Sequence, residues 1–273
     1  MNENRFDRES ARLSAKFRID LVRSGAQFPL FPLTILQGQG RIHGEVADPR
    51  DIESYWPLFS TEWNVYPTEL MAKTRMKHII LCQGLAYEDP ILSEPQPRTA
   101  LPDLGYTSPP DHQPPDNHLY IDVKSGRHDE LYVRAVIHHE FFHIIDWVQD
   151  KSFDKDDAWR ALNPTGFTYG MGGETEQENP LTSDRTVEVP GFLNQYSRSG
   201  LIEDKAEVFA YMVVDPQYMA ERAMRDDIIR KKMHTMTTRL REFCPQLDDQ
   251  FWERAGAVER PNVQPRIVAR PMV

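Results

Sequence analysis

The sequence predicts an α+β protein, with a small mixed sheet in its first half and mainly helices after it. Two short runs rich in β-branched and aromatic residues, at 78–82 and 118–123, are typical of strands. Beyond residue 129, long segments repeat apolar residues at helical spacing, with proline- and glycine-rich stretches between them. Strands that precede the helices, rather than alternate with them, favour the α+β class.

The expected secondary structure follows these patterns from the N-terminus onwards. The stretch at 28–44 is too rich in proline and glycine for a helix and is expected to be partly extended. Asp48 followed by Pro49 is a typical helix start, because aspartate caps the first turn and proline fits within it. Helices are expected over residues 5 to about 24, 49–63 with a potential break at Pro57, a short segment after Pro67, 129–148, 200–213, 216–243 with a potential break near Asp226, and 247–254.

Composition divides the chain into three portions. Residues 1–117 are expected to form helices and strands, and no low-complexity linker separates them from the segment that follows, so both should belong to one compact unit. Residues 118–254 hold the long helical patterns, and 255–273 lack helical periodicity and are expected to form an extended tail. The stretch at 88–117 contains eight prolines, which predicts a long irregular loop that could act as a lid or hinge.

The net charge and the distribution of apolar residues limit which binding partners and which cellular compartment are expected for the chain. A net charge of −10 argues against nucleic acid or an anionic membrane as a partner, since both attract basic surfaces. No apolar run approaches the roughly 20 residues of a membrane span, and the charged N-terminus lacks a secretory signal. We therefore expect a chain that is cytoplasmic at synthesis, with later delivery as an effector left open. Oligomeric state is not predicted.

Cys82 and Cys244 are too few for a disulfide framework and are expected to be structural thiols.

An H-E-x-x-H pattern occurs at His139–His143, within the helix expected over 129–148. Histidines four residues apart lie on one face of a helix, one turn from each other, so both can bind one metal ion. His138 is offset by about 100° from His139, and it is expected to be buried and hydrogen-bonded elsewhere. The helix is apolar nearly all round, so its histidines and Glu140 need polar partners or a ligand.

A third ligand has to come from another part of the chain. Two positions required by the longer H-E-x-x-H-x-x-G-x-x-H pattern hold Asp146 and Gln149 instead of glycine and histidine. Glu203 and Glu207 lie one turn apart in an otherwise apolar helical run, where one could bind a metal and the other a histidine ring nitrogen. Two glutamates on a solvated helix face would explain the same spacing.

These residues resemble the gluzincins, zinc metallopeptidases in which H-E-x-x-H is followed by a ligand glutamate on a second helix. The stretch Glu203–Phe209 reads E-D-K-A-E-V-F and resembles the E-x-x-A-E-x-F stretch of the anthrax lethal factor catalytic domain and the Pro-Pro endopeptidases. As in that group, a tyrosine, Tyr196, stands seven residues before the glutamate, and Asp146 stands three residues after His143. The resemblance covers about residues 118–215 and implies a zincin-like fold whose catalytic portion is 118–254.

The resemblance also implies roles for individual residues. His139, His143 and Glu203 would bind one Zn²⁺ per chain, leaving a position for water. Glu140 would act as general base and Tyr196 would stabilise the oxyanion. Glu207 would orient His139, whereas Asp146 would either support the ligands or form a salt bridge. A polypeptide substrate could pair with an exposed edge of the strand at 118–123, or this strand could be an ordinary member of the sheet.

Two other functions remain open at the level of sequence. A zincin-like protein could bind a partner without cleaving it, although such relics usually lose the base or a ligand, and both Glu140 and Tyr196 are present. A metal-dependent hydrolase of a non-peptide amide could use the same residues. The shape of the cleft would separate these functions, since a polypeptide needs an open groove and a small amide needs a closed pocket.

Overall fold

A computed structural model of the chain describes residues 5–23, 33–37 (backbone only), 40–89, 94–103, 116–150, 155–170, 172, 185 and 189–260. The chain divides into two units, Met1–Val148 and Gln149–Val273. Within the described residues, no helix is both long enough and apolar enough to cross a membrane.

The first unit combines a mixed sheet with helices. Its strands are β1 (Asp20–Val22), β2 (Leu33–Gln37), β3 (Gly40–Val46), β4 (Met76–Glu88), β5 (Gln96–Pro97), β6 (Ala100–Asp103) and β7 (Asn117–Asp122). Its helices are α1 (Arg5–Phe17), α2 (Pro49–Trp63), α3 (Thr68–Thr74) and α4 (Glu130–Gln149).

The sheet is arranged around β4. The strand order is β2-β3-β4-β7-β6, and β1 and β5 also pair with β4. The pairs β1–β4 and β4–β7 are parallel and the other pairs are antiparallel. This mixed sheet confirms the predicted class. Since β7 pairs with β4, residues on both sides of position 117 share one sheet.

The prediction that strand 118–123 exposes an edge is wrong. β6 lies antiparallel along it, with Ala100 opposite Ile121 and Asp103 opposite His118, while β4 occupies the other side. The error arose because the whole proline-rich stretch at 88–117 was expected to be irregular. In the structure, Pro102 belongs to β6, as expected for an outer strand, where a missing backbone N–H is tolerated.

The first helix is shorter than expected. It ends at Phe17 rather than near residue 24, and Arg18 then adopts a left-handed conformation with φ of 56°. The chain continues into β1, which pairs with His78–Ile80 of β4. Tertiary pairing therefore overrides the helical pattern of the last residues.

The second helix confirms its predicted start. Asp48 Oδ1 accepts a hydrogen bond from the Arg50 backbone N–H at 2.8 Å, and the helix begins at Pro49. Pro57 does not break it, because the helix continues to Trp63. The short helix after Pro67 is also present, as α3.

The second unit is mainly helical, as predicted. It contains α5 (Asp157–Arg160), a short 3₁₀ helix (Tyr196–Arg198), α6 (Leu201–Val214), α7 (Pro216–Arg225), α8 (Asp227–Phe243) and α9 (Asp249–Gly256). The break near Asp226 is confirmed, since Asp226 Oδ1 accepts hydrogen bonds from the Ile228 and Ile229 backbone N–H groups and caps α8. Most of the expected tail, residues 261–273, lies outside the described residues.

Each unit contributes buried apolar side chains. In the first unit, β4 and β7 contribute buried side chains such as Ile80 and Leu119. In the second, α6 is buried along nearly its whole length. Cys82 and Cys244 are both buried free thiols, as the composition predicted.

Candidate metal site

The turn between β7 and α4 positions the H-E-x-x-H helix. At the end of β7, Asp122 Oδ1 accepts hydrogen bonds from the backbone N–H groups of Lys124 and Ser125. Gly126 follows with φ of 68°, a conformation that favours glycine. Asp129 Oδ1 then accepts a hydrogen bond from the Tyr132 backbone N–H, which caps α4. A short, capped turn therefore connects the sheet to the helix that carries the H-E-x-x-H motif.

His139 and His143 lie together on α4. Their Nε2 atoms are 3.1 Å apart, and their rings are nearly perpendicular, with an interplanar angle of 85°. Both residues are buried, at 3% and 6% exposure. Two nitrogens bound tetrahedrally to one zinc ion, each at about 2.0–2.1 Å, would be separated by about 3.3 Å. The spacing and chemistry of this nitrogen pair therefore fit zinc.

Glu140 and Asp146 share α4 with the histidine pair. Glu140 is half-buried. Asp146 is buried at 7% exposure. Their predicted roles, as general base and as a supporting carboxylate, stay predictions.

His138 has the separate role that the sequence predicted. It is fully buried, its Nε2 lies 3.0 Å from Glu62 Oε2, and its Nδ1 lies 2.5 Å from the Tyr66 hydroxyl. These partners are more than 70 positions away along the chain, so the sequence could predict burial but could not name them.

The predicted residues of the second unit lie on and just before α6. Tyr196 is half-buried and begins the 3₁₀ helix, and Gly200 precedes the first residue of α6. Glu203 and Glu207 lie one turn apart on α6 and are exposed by only 8% and 9%. The alternative of a solvated helix face is therefore wrong for this pair.

Glu207 has a partner that the sequence did not indicate. Its Oε2 accepts a hydrogen bond from Asn194 Nδ2 at 2.5 Å. Asn194 is itself held in place, because its Oδ1 accepts a hydrogen bond from the Ser197 backbone N–H. Glu207 therefore has a fixed orientation within the second unit. Whether it orients His139 stays a prediction.

A buried polar network surrounds Asp204, the neighbour of Glu203. Asp204 Oδ2 accepts hydrogen bonds from Lys232 Nζ at 2.6 Å, from the Tyr169 hydroxyl at 2.6 Å and from Trp159 Nε1 at 2.8 Å. Burial, followed by the charge of Asp204, raises the pKa of Tyr169, so its hydroxyl keeps the proton that it donates. Phe167 and Tyr169 both pack against Phe192.

Two histidines four residues apart on one face of a helix are a recurrent arrangement in zinc sites. Residues 118–243 match the family described as "Putative zinc-binding metallo-peptidase". The matched segment runs from the second residue of β7 to the last residue of α8, and so includes every predicted site residue. This match covers just under half of the chain.

A solved structure from Bacteroides caccae ATCC 43185, described in the same words, has a similar fold. The similarity covers 94% of each chain, with a TM-score of 0.51 and 16% sequence identity. At this identity the likeness concerns the fold alone. No curated protein matches the chain by sequence.

Proposed function

We propose that the protein is a zinc-dependent metallopeptidase of the gluzincin type, and that it acts as an endopeptidase. The observation that carries this proposal is the pair of buried Nε2 atoms, 3.1 Å apart, on the helix that also presents Glu140. The family match over residues 118–243 supports a zinc-binding peptidase. The E-x-x-A-E-x-F stretch and Tyr196 support the gluzincin type, with the likeness to anthrax lethal factor and the Pro-Pro endopeptidases.

In this proposal His139, His143 and Glu203 hold one zinc ion per chain. Two neutral imidazoles and one carboxylate are a common ligand set of catalytic zinc. Glu203 is buried on α6, one turn before Glu207. When bound, the ion supplies Lewis-acid assistance to the attack of water on a carbonyl group.

The side chains of the protein perform the proton transfers. Glu140 accepts a proton from the attacking water at a carboxylate oxygen and then delivers it to the nitrogen of the leaving amine. The Tyr196 hydroxyl donates a hydrogen bond to the oxyanion that develops on the scissile carbonyl. Glu207 and Asp146 hold ligand histidines in orientation.

The proposed substrate is a polypeptide. The site residues also fit hydrolysis of a non-peptide amide, or a protein that binds without cleaving, so the test must separate these activities. Cleavage of a diverse peptide library, analysed by mass spectrometry, does so directly. The wild-type protein is compared with Glu140→Gln, which removes the base without changing the side-chain shape.

The expected result is a set of internal cuts made by the wild-type protein and absent with Glu140→Gln, while zinc content measured by elemental analysis is equal in both. Glu221→Gln, the same change at an exposed position on α7, is the matched control and should keep every cut. Equal cleavage by Glu140→Gln would disprove the mechanism. Zinc-loaded wild-type protein that cleaves no peptide would favour the amide hydrolase or the binding protein.

A further inference from the structure

The helix α4 is apolar around most of its circumference, so the burial of apolar side chains fixes its rotation about its own axis only weakly. Its buried side chains include apolar residues on almost every side, among them Val133, Ile137, Phe142, Ile144 and Ile145. Burial of apolar area is non-directional, so a helix of this kind gains little by presenting one face rather than another. Directional contacts are therefore expected to contribute to the direction in which His139 and His143 point.

Glu62 of α2 supplies such contacts. Its Oε1 accepts a hydrogen bond from Arg134 Nη1 at 2.5 Å, and its Oε2 lies 3.0 Å from His138 Nε2. Because an ionised carboxylate only accepts hydrogen bonds, His138 Nε2 is the donor in the second contact. Neither Glu62 nor His138 is exposed, and Arg134 is exposed by only 4%. One buried carboxylate thus binds two successive turns of α4.

Neighbouring contacts strengthen this attachment on the same side of α4. The Tyr66 hydroxyl lies 2.5 Å from His138 Nδ1, and Arg134 Nη2 also donates to Glu130. The rings of Trp63 and Tyr66 each lie 4.8 Å from the ring of Phe141. The residues that make these contacts with α4 lie in the last turn of α2, in the turn after it, or in α4 itself.

The attached side of α4 faces away from the metal-binding pair. With about 100° of rotation per residue, the midpoint of Arg134 and His138 lies about 140° around the helix from the midpoint of His139 and His143. A rotation of α4 by one residue would turn both histidines away from their present direction. It would also break both contacts of Glu62 and leave a buried carboxylate without its cationic partner.

We propose that Glu62 is a positioning residue that sets the rotation of α4 and so directs His139 and His143 towards the metal. This inference rests on the proposed function, because it assumes that the two histidines bind zinc. Glu62 lies on the face of α4 away from the ligands and acts through Arg134 and His138. Buried ionic groups that specify one arrangement among similar ones are known from other helical proteins.

The test is the zinc dissociation constant of Glu62→Gln, measured by competition with a chromogenic chelator at a temperature where each variant is fully folded. The amide keeps the shape of the side chain but places a donor opposite Arg134 or His138. We expect the dissociation constant to rise about 10-fold, the lower end of the effect known for residues that support metal ligands. Tyr66→Phe removes only the hydroxyl contact and should give a smaller rise in the same direction.

Two controls separate positioning from simple loss of stability. Glu53→Gln is the same change at an exposed position of α2 and should leave zinc binding unchanged. Leu13→Ala removes a buried side chain of α1 and should lower the melting temperature without changing the zinc dissociation constant. If Glu62→Gln does not fold, Tyr66→Phe alone decides the result.

Each outcome has a distinct meaning. Wild-type protein that binds no zinc would overturn both the proposed function and this inference. Wild-type protein that binds zinc, with an unchanged dissociation constant in Glu62→Gln and Tyr66→Phe, would overturn the inference alone. An equal rise in Leu13→Ala would also overturn it, because a general loss of stability would then account for the effect.

Discussion

Lys232 Nζ lies 2.6 Å from Asp204 Oδ2, and neither side chain is exposed. This ion pair joins α6, next to Glu203, to the middle of α8. Burial raises the pKa of Asp204, while Lys232 and the Tyr169 and Trp159 donors each act to lower it. Lys232 Nζ also donates to the Gly191 carbonyl oxygen at 2.7 Å, so the buried cation has at least two oxygen partners.

Replacing Lys232 with methionine should destabilise the protein strongly. The change leaves the Asp204 carboxylate buried without its cation, a situation that typically costs about 3–5 kcal/mol. Urea unfolding followed by circular dichroism measures the loss in free energy of unfolding. Lys231→Met, on the exposed side of α8, is the matched control and should change the free energy by less than about 0.5 kcal/mol. Equal stability of the two variants would mean that the ion pair contributes no net stability.

Glu203→Gln should weaken zinc binding by about 100-fold, because the charged ligand oxygen becomes a neutral amide. Chelator competition measures the dissociation constant, and circular dichroism checks that α6 is intact. Glu207→Gln should have a smaller effect, since Glu207 is proposed to act through His139. If Glu207→Gln weakened zinc binding more than Glu203→Gln, the assignment of the two glutamates would have to be reversed.

Tyr196→Phe should lower kcat about 100-fold and leave KM nearly unchanged, because the hydroxyl is proposed to act on the oxyanion of the transition state. Steady-state kinetics on a peptide found in the library screen separates the two constants. Zinc content should equal that of the wild-type protein. A rise in KM at constant kcat would instead give Tyr196 a role in substrate binding.

His118 should make the protein less stable in weak acid. Its Nδ1 lies 3.0 Å from His78 Nδ1, and burial lowers the pKa of His118 from 6.5 to about 4. The charge of His78 acts in the same direction, and that of Asp116 opposes it. The unfolded chain binds the proton of this histidine more tightly than the folded chain does. The contribution of His118 to the free energy of unfolding is therefore fully present above pH 6.5 and is lost as the pH falls towards about 4.

Urea unfolding between pH 7 and 4 measures this effect. His118→Gln should reduce the acid-induced loss of stability by up to about 3 kcal/mol, since one pKa unit corresponds to about 1.4 kcal/mol. His234→Gln, at an exposed position on α8, should leave the pH dependence unchanged. An unchanged dependence in His118→Gln would mean that His118 titrates normally in the folded protein.

The sequence predicted most elements whose signals are local. Asp48 caps a helix where it was expected, because an aspartate before a helical pattern is a strong start signal. The break expected near Asp226 is present, and Asp226 caps the helix after it. Two errors, the end of α1 and the strand β6, have a common cause. Both segments adopt strand structure because β4 or β7 lies beside them, and pairing with a distant strand leaves no mark in the local pattern.

In the candidate site, too, only features with a local sequence signal could be predicted. The spacing of His139 and His143 predicted their adjacency, because four residues are one turn of helix. The partners of the buried polar groups were not predictable, since Glu62, Asn194 and Lys232 carry no signal that distinguishes them from surface residues. What could be predicted was the need for such partners, because a buried charge or imidazole is costly without them.

The central place of β4 has a consequence for how the chain folds. This one strand pairs with β1, β3, β5 and β7, so segments from residue 20 to residue 122 must meet on it. Two of these pairings are parallel and join residues about 40 or more positions apart, a topology of high contact order that slows folding. Because α4 follows β7 almost immediately, we expect the histidine pair to reach its native place only after the sheet has assembled. Refolding monitored at the same time by zinc uptake and by backbone circular dichroism would show the metal signal lagging behind.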